Sequence, residues 1–169
     1  MSRTVEVVRT YLELRAPEQL RPAPAVADAR FVELISIDVP RYRQLYESVG
    51  APWHWHDRDA WSDERLAAHL ARSDVRIWEC RVANDCAGFF ELERHDDASV
   101  EIAYFGLTQH VIGRGLGKAM LTRAVQEAWS FGVTRVWLHT CTLDSPHALP
   151  NYKARGFEET RHETFMIDV

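Results

Sequence analysis

The alternation of apolar and polar positions marks out the elements before any chemistry is considered. Residues 3–14 alternate and are rich in β-formers, with Val5, Val7, Thr10 and Leu12 predicting a strand. Three prolines and several alanines over 15–29 predict a loop, and Arg30–Ile35 is a short β-like run. In 40–49, Tyr42, Leu45, Tyr46 and Val49 recur at i, i+3, i+4 and i+7, the one-sided spacing of a helix, and Gly50 supplies its stop. An aromatic stretch, Trp53-His54-Trp55-His56, runs on to Trp61. Ser62 then caps a second helix that reaches about Ala71, without a capping box. Val75–Ala83 and Cys86–Arg94 read as strands joined by a hairpin turn at Asn84-Asp85. Residues 95–98 are a second turn, and Ser99–Leu107 is a third strand. Over 113–130 the period becomes helical, with Leu116, Met120, Ala124, Val125 and Ala128 on one face and Gly132 suited to the C-terminal cap. Arg135–Thr142 is a strand, Pro146–Arg155 a short helix, and Phe157–Val169 a last strand. A meander of antiparallel strands followed by β-α-β-α-β predicts an α/β layer around one central sheet.

Composition narrows the function classes. A chain of 169 residues with 46% hydrophobic content fits one domain with a sizeable core. The formal net charge of -5, with no clustered Lys/Arg, argues against a nucleic-acid partner and tolerates a cationic acceptor. Cys80, Cys86 and Cys141 are odd in number and lack CxxC spacing, so neither a disulfide framework nor a zinc site is expected. A reducing, cytoplasmic compartment follows from that cysteine usage. The N-terminal residues lack the apolar run of a signal peptide, and no stretch approaches the roughly 18 apolar residues of a membrane span.

The sharpest chemical signal is Ile112-Gly113-Arg114-Gly115-Leu116-Gly117-Lys118, set between a strand and an amphipathic helix. Unpaired N–H groups at a helix start attract anions, and the helix dipole adds to that attraction. Glycines let a pyrophosphate approach the backbone, and Arg114 and Lys118 offer charge-assisted contacts. Three other readings compete. The segment reads equally as a plain turn. A dinucleotide fingerprint would read GxGxxG, whereas this is GxGxG late in the chain. A P-loop needs GK[ST], which Gly117-Lys118-Ala119 does not supply.

With these residues in view, 75–165 resemble the GNAT superfamily of N-acetyltransferases. Gly115 and Gly117 match the final glycines of that family's [Q/R]-x-x-G-x-[G/A] motif, with Ile112 at the Gln/Arg position, which acts mainly through its backbone. Downstream, Ala148, Tyr152, Gly156 and Phe157 fit N-x-x-A-x-x-x-Y-x-x-x-G-F, with Ser145 in place of Asn. The resemblance implies a GNAT fold over 1–169 with a mixed, mostly antiparallel sheet. Within it, 1–35 form N-terminal strands and a loop, 36–74 a two-helix acceptor-side segment, and 75–169 the acetyl-CoA-binding core. It implies that the strands at 99–107 and 134–142 splay apart. Acetyl-CoA is then the co-substrate, its pantetheine pairing with the backbone of Phe105, Gly106 and Leu107 like an added strand. Its pyrophosphate would lie on Ile112 to Lys118, and Ser145 and Ala148 complete the cofactor-binding set. A homodimer is also compatible with the resemblance.

Amine acetylation needs a base for the attacking amine and an acid for the leaving thiolate. Glu101 is the leading base, because Glu101-Ile-Ala-Tyr is similar to the strand of histone-type GNAT enzymes, whose catalytic Glu lies at the same distance before the glycine loop. The plainer reading is a Glu on a solvent-facing strand edge. Glu91 and Glu93 are rivals. A simple register across a four-residue turn at 95–98 would set Leu92 opposite Glu101 and turn both rivals to the other face, and a different loop length would reverse that. Tyr152 is the candidate acid by the family match, or else packs its helix on the sheet. A Cys141–His139 acyl-enzyme is a further alternative. Asp144 reads as a cleft or a turn residue. His54 and His56 share a face only in an extended segment, and no metal is expected. Trp53, Trp55 and Trp61 lie in the segment that walls the family's acceptor site, where they would cage an ammonium or stack on a ring. Otherwise they pack the helix pair. The expected function is direct transfer of acetyl from acetyl-CoA to a primary amine of a small molecule, peptide or protein in a ternary complex. The alternatives are a non-catalytic acyl-CoA sensor and a transferase for longer acyl groups, with Phe105 and Phe90 deciding acyl length.

Overall fold

Alternating strands need a shared sheet and one-sided helices need a face to cover, and the chain meets both demands around a single sheet. The computed structural model describes residues 3–169. Its strands are β1 (Thr4–Leu14), β2 (Ala29–Glu33), β3 (Val75–Val82), β4 (Asp85–His95), β5 (Ser99–Leu107), β6 (Arg135–Cys141) and β7 (Glu158–Asp168). Its helices are α1 (Val39–Gly50), α2 (Asp63–Leu70), α3 (Leu116–Trp129) and α4 (Ala148–Ala154). The seven strands lie in the order β2-β3-β4-β5-β6-β1-β7. Every neighbouring pair is antiparallel except β5 and β6.

One hydrophobic cluster fills each face. On the α3 and α4 side, Leu12, Phe90, Val100, Ile102, Met120, Leu121 and Leu138 form the larger core. Under α1 and α2, Tyr42, Leu45, Val49, Leu66, Ile77 and Phe89 form the other. The apolar stripe read from 40–49 is the buried stripe of α1, whose N-terminus is capped by Asp38 accepting from the Arg41 N–H at 2.8 Å. Ser62 caps α2 in the same way, accepting from the Arg65 N–H at 3.1 Å.

Three features depart from the sequence expectations. First, β1 inserts between β6 and β7, pairing Leu12 with Leu138 on one side and Val7 with Phe165 on the other. The connection to β2 therefore crosses the α3 and α4 face. It is pinned there by hydrogen bonds from Arg21 N to the Arg155 carbonyl and from Ala23 N to Thr122 Oγ1, both 2.9 Å. Second, the β4–β5 turn is one residue tighter than expected, with His95 opposite Ser99 and Glu93 opposite Glu101. Ala98 takes φ 58° to close it. Glu93 thus shares a face with Glu101 instead of opposing it, and a register shift beside Glu91 and Leu92 leaves Ala103 unpaired. Third, α3 begins at Leu116 and not at Gly113, and α4 at Ala148 and not at Pro146, because the preceding residues are spent on loops.

Candidate active site

The sheet splits where its parallel pair ends. β5 and β6 are in register only from Ser99 to Glu101 against Arg135 to Trp137, although β5 continues to Leu107 and β6 to Cys141. Beyond Glu101 the β6-facing edge of β5 has no strand partner, so its N–H and C=O groups are open to a ligand. Phe105, Gly106 and Leu107 lie on this free edge, held from the other side by Phe90, Phe89 and Gly88 of β4. Gly106 is small for a packing reason: an added Cβ would stand 2.5 Å from Val49 Cγ1.

The glycine loop forms a cradle beside the split. Gly115 is the N-cap of α3 at φ 78°, a left-handed conformation that favours glycine, and no side chain caps the helix there. Its first-turn N–H groups are left to an external acceptor. Gly113 is also left-handed, at φ 89°, and nothing lies within 4 Å of where a Cβ on either glycine would project. Leu116 is buried in the core, which anchors the turn, while Ile112 is 37% exposed. Arg114 reaches Asp28 at 3.6 Å from an exposed position. Lys118 is exposed on the first turn. At the start of α4, Ser145 Oγ accepts from His147 N at 3.3 Å, and the Ser145 carbonyl accepts from Ala148 N at 3.0 Å.

One polar group here escaped the sequence reading. Asn151 Nδ2 donates to the Gly117 carbonyl at 3.2 Å, while its Oδ1 is buried with no partner. An orphaned acceptor beside the cradle implies a missing donor. Free helix N–H groups, space where side chains would stand, an open strand edge and this acceptor together fit the pyrophosphate and pantetheine of acetyl-CoA. The only hint in the sequence was an amide directly before Tyr152.

The two candidate catalytic residues come from opposite faces. Tyr152 belongs to the core under α3 and α4. Its ring meets Phe105 edge-on with centroids 6.1 Å apart, and Phe157 at 6.2 Å. Burial, reinforced by the Asp144 charge, pushes its hydroxyl well above the usual phenol range. Glu101 alternates with the core residues Val100 and Ile102, so it points to the α1 and α2 face at the apex of the split. Its Oε2 lies 2.9 Å from His95 Nε2, and its Oε1 4.0 Å from His139 Nε2 on β6. Burial raises the Glu101 carboxyl above its ordinary value, His95 opposes that shift, and the charges of Glu93 and Glu91 add to it. Glu93, His95 and Glu101 bring three donor atoms within 4.8 Å, but Arg72 holds Glu93 at 2.7 Å and His95 holds Glu101.

Glu91 has a different fate from its neighbours. It is fully buried, gripped by Arg58 through two 2.7 Å contacts, by His69 Nε2 at 2.7 Å and by the Tyr42 hydroxyl at 2.6 Å. Arg58, which the sequence reading passed over, also bonds Tyr42 Oη. Its guanidinium stacks on Tyr104 at 4.6 Å and Trp61 at 4.8 Å. This cluster ties α1, the 51–61 segment, α2 and β4 together. A Glu between Phe90 and Leu92 in a fully buried run was the available signal, since such a charge must be paired.

The remaining candidates are placed as follows. Trp53 closes a short 3-10 turn, Ala51–Trp53, and is half-buried. Trp55 packs on Tyr46 and Tyr104, and its ring approaches Gly106 from the α1 and α2 face. Trp61 carries Arg58 and Arg65 on its ring, the latter at 3.9 Å. His54 takes φ 57° and its ring lies 6.4 Å from that of His56, which pairs with Asp59. Asp144 is a turn residue, accepting from Thr140 Oγ1 and Cys141 N. Burial raises the Cys141 thiol and lowers the His139 imidazole, both directions that oppose a thiolate–imidazolium pair. Among the described residues no helix is long and apolar enough to cross a membrane.

The chain is similar to known proteins in sequence and in fold. A mycothiol acetyltransferase of Corynebacterium aurimucosum is 29% identical over 167 residues, covering 86% of this chain and 53% of that protein. The Corynebacterium efficiens protein of the same name is 28% identical over 112 residues, 62% of this chain and 36% of its own length. The chain thus spans about half, or less, of these curated relatives. Among solved structures, a GCN5-related N-acetyltransferase from Kribbella flavida superposes with a TM-score of 0.66 at 17% identity, covering 98% of this chain and 59% of that one. An aminoglycoside acetyltransferase from an uncultured soil metagenomic sample, solved with sisomicin, gives 0.64 at 16% identity over 76% of this chain and 87% of its own. At such identities the two structures speak for the fold alone. The sequence profile of the Acetyltransferase (GNAT) family matches residues 41–157, from α1 to the residue before β7, and the chain belongs to that family.

Proposed function

We propose that the protein transfers an acetyl group from acetyl-CoA to a primary amine by direct attack within a ternary complex. Family membership and the acetyltransferase relatives support acyl transfer in general. The observation that carries the finer reading is the open edge of β5 beside an uncapped, glycine-lined helix start.

Acetyl-CoA supplies an acetyl thioester when bound. The free backbone of Phe105 to Leu107 holds the pantetheine, and the N–H groups from Gly113 to Lys118 hold the pyrophosphate. Glu101 takes a proton from the acceptor ammonium. Its raised pKa makes it a stronger base than an ordinary carboxylate. A backbone N–H near Leu107 faces the developing oxyanion. Burial keeps Tyr152 protonated. Because its pKa is pushed up, full ionisation against a thiol of pKa about 8.5 is uphill, so its hydroxyl serves as a hydrogen-bond donor to the departing sulfur, which takes the second proton of the attacking nitrogen and leaves as the free CoA thiol. The Trp55 contact with Gly106 supports the 51–61 segment, with Trp53 and Trp61, as the acceptor-side wall.

The test is release of free CoA across a panel of amines by wild type, Glu101→Gln and Tyr152→Phe. General acid–base assistance contributes roughly 10²–10⁴-fold. Glu101→Gln is expected to fall within that range and to recover partly at high pH, where free amine exists. Tyr152→Phe is expected to show a loss that high pH does not rescue. Losses below about threefold, or identical pH profiles for both variants, would show these to be packing residues. Absence of CoA release with every amine, despite tight acetyl-CoA binding, would refute transfer to amines.

A further inference from the structure

The sheet register sets an imidazole against each oxygen of the proposed base. His95, at the end of β4, and Glu101, two residues into β5, flank the tight turn on the same face. Their side chains meet at 2.9 Å, His95 Nε2 to Glu101 Oε2. The His95 ring rests against Trp137 with centroids 5.7 Å apart, and that indole is itself fixed by donating to Ser99 Oγ at 3.1 Å. The other oxygen, Oε1, faces His139 across the split at 4.0 Å, too far for a hydrogen bond. One oxygen is therefore held and the other is left facing β6.

We propose that His95 is a positioning residue for the transfer reaction: its Nε2 fixes Glu101 Oε2, so that Oε1 is the oxygen presented to the acceptor amine. The proposal rests on the reading of Glu101 as base. It extends that reading to a residue in the turn which the glycine motif does not reach. The remaining charged groups facing this carboxylate are Glu93 and Glu91 from β4, with His139 from β6; Arg72 already offsets Glu93. His95 is thus the one partner in hydrogen-bonding contact with the Glu101 carboxylate among the described residues. A carboxylate that loses its donor holds a proton more tightly. His95 therefore sets the low-pH limit of activity as well as the geometry.

The experiment uses the full chain with His95→Ala, His95→Gln and Glu101→Gln. His95→Ala should lower kcat by roughly tenfold, a part of the 10²–10⁴-fold that acid–base assistance contributes, with the KM for acetyl-CoA unchanged. Its acidic limb should move up by about one pH unit. His95→Gln retains an N–H where Nε2 stood and should restore most of the rate. An unshifted limb in His95→Ala, or equal losses in His95→Ala and His95→Gln that track thermal stability, would each overturn the proposal. If Glu101→Gln itself stays within threefold of wild type, the base reading fails at its own residue. The His95 role then falls with it, for a cause distinct from the other two.

Discussion

Glu91 and Glu101 stand on the same face of neighbouring strands, yet they are opposite kinds of carboxylate. Glu91 is sealed under α1 and α2. Burial alone would raise its pKa, but the hydrogen bond from His69 and the charge and hydrogen bonds of Arg58 outweigh it, with help from Tyr42, and the net direction is downward. Glu101, at the apex of the split, is mostly buried with one partner, and its net direction is upward. The number of donors, more than the depth of burial, separates a structural strut from the proposed base.

Removing the donors should erase that difference. Arg58→Met leaves Glu91 as an uncompensated buried charge and should cost about 3–5 kcal/mol, read as a fall in the urea midpoint. Glu101→Gln should do the reverse. It should reduce kcat by at least about 10²-fold, close to 2.7 kcal/mol of barrier, while stability at neutral pH stays level or rises. The sign follows from the raised folded-state pKa. The Glu101 contribution is full below the ordinary value near 4.5 and is lost as pH rises through the folded value, so at pH 7 its charge is a cost that Gln removes. For Glu91 the window is inverted. Its contribution is full above 4.5 and is lost as pH falls through the depressed folded value. Denaturation midpoints at pH 7 and pH 4 should therefore drop for wild type and drop less for Glu91→Gln. The smallest effect is expected from Tyr104→Phe, which keeps the ring on Arg58 and removes only the 3.4 Å bond from its hydroxyl to Asp57. A change within roughly 0.5–1 kcal/mol is expected. A larger one would mean that the Arg58 shell depends on its rim.

Local patterns in the sequence were reliable where a single element decides the outcome. The stripe of Tyr42, Leu45, Tyr46 and Val49 is α1, Ser62 is a cap, and the glycine loop ends at an uncapped helix. What failed was information shared between elements. Whether Glu93 faces with or against Glu101 depends on one residue of turn length, and Ala98 at φ 58° closed the tighter option. Arg58 lies in an aromatic loop whose spacing says nothing of Glu91, 33 residues away. Asn151 and His95 were unremarkable in a short helix and a polar turn. Each acquires its meaning from a neighbour that only the fold supplies.

The placement of β1 also bears on how the chain is made. Its partners are distant, with Val8 N bonded to Thr142 Oγ1 across 134 positions and β7 further still. On a ribosome adding about 5–20 residues per second, this strand waits several seconds or longer before its slot exists. During that interval its eleven residues, Val5, Val7, Val8 and Leu12 among them, offer unpaired backbone to any passing strand edge. The sheet cannot close at β6 until β1 returns to it. Slow, late closure and a need for shielding during synthesis are the biosynthetic cost of threading β1 between β6 and β7.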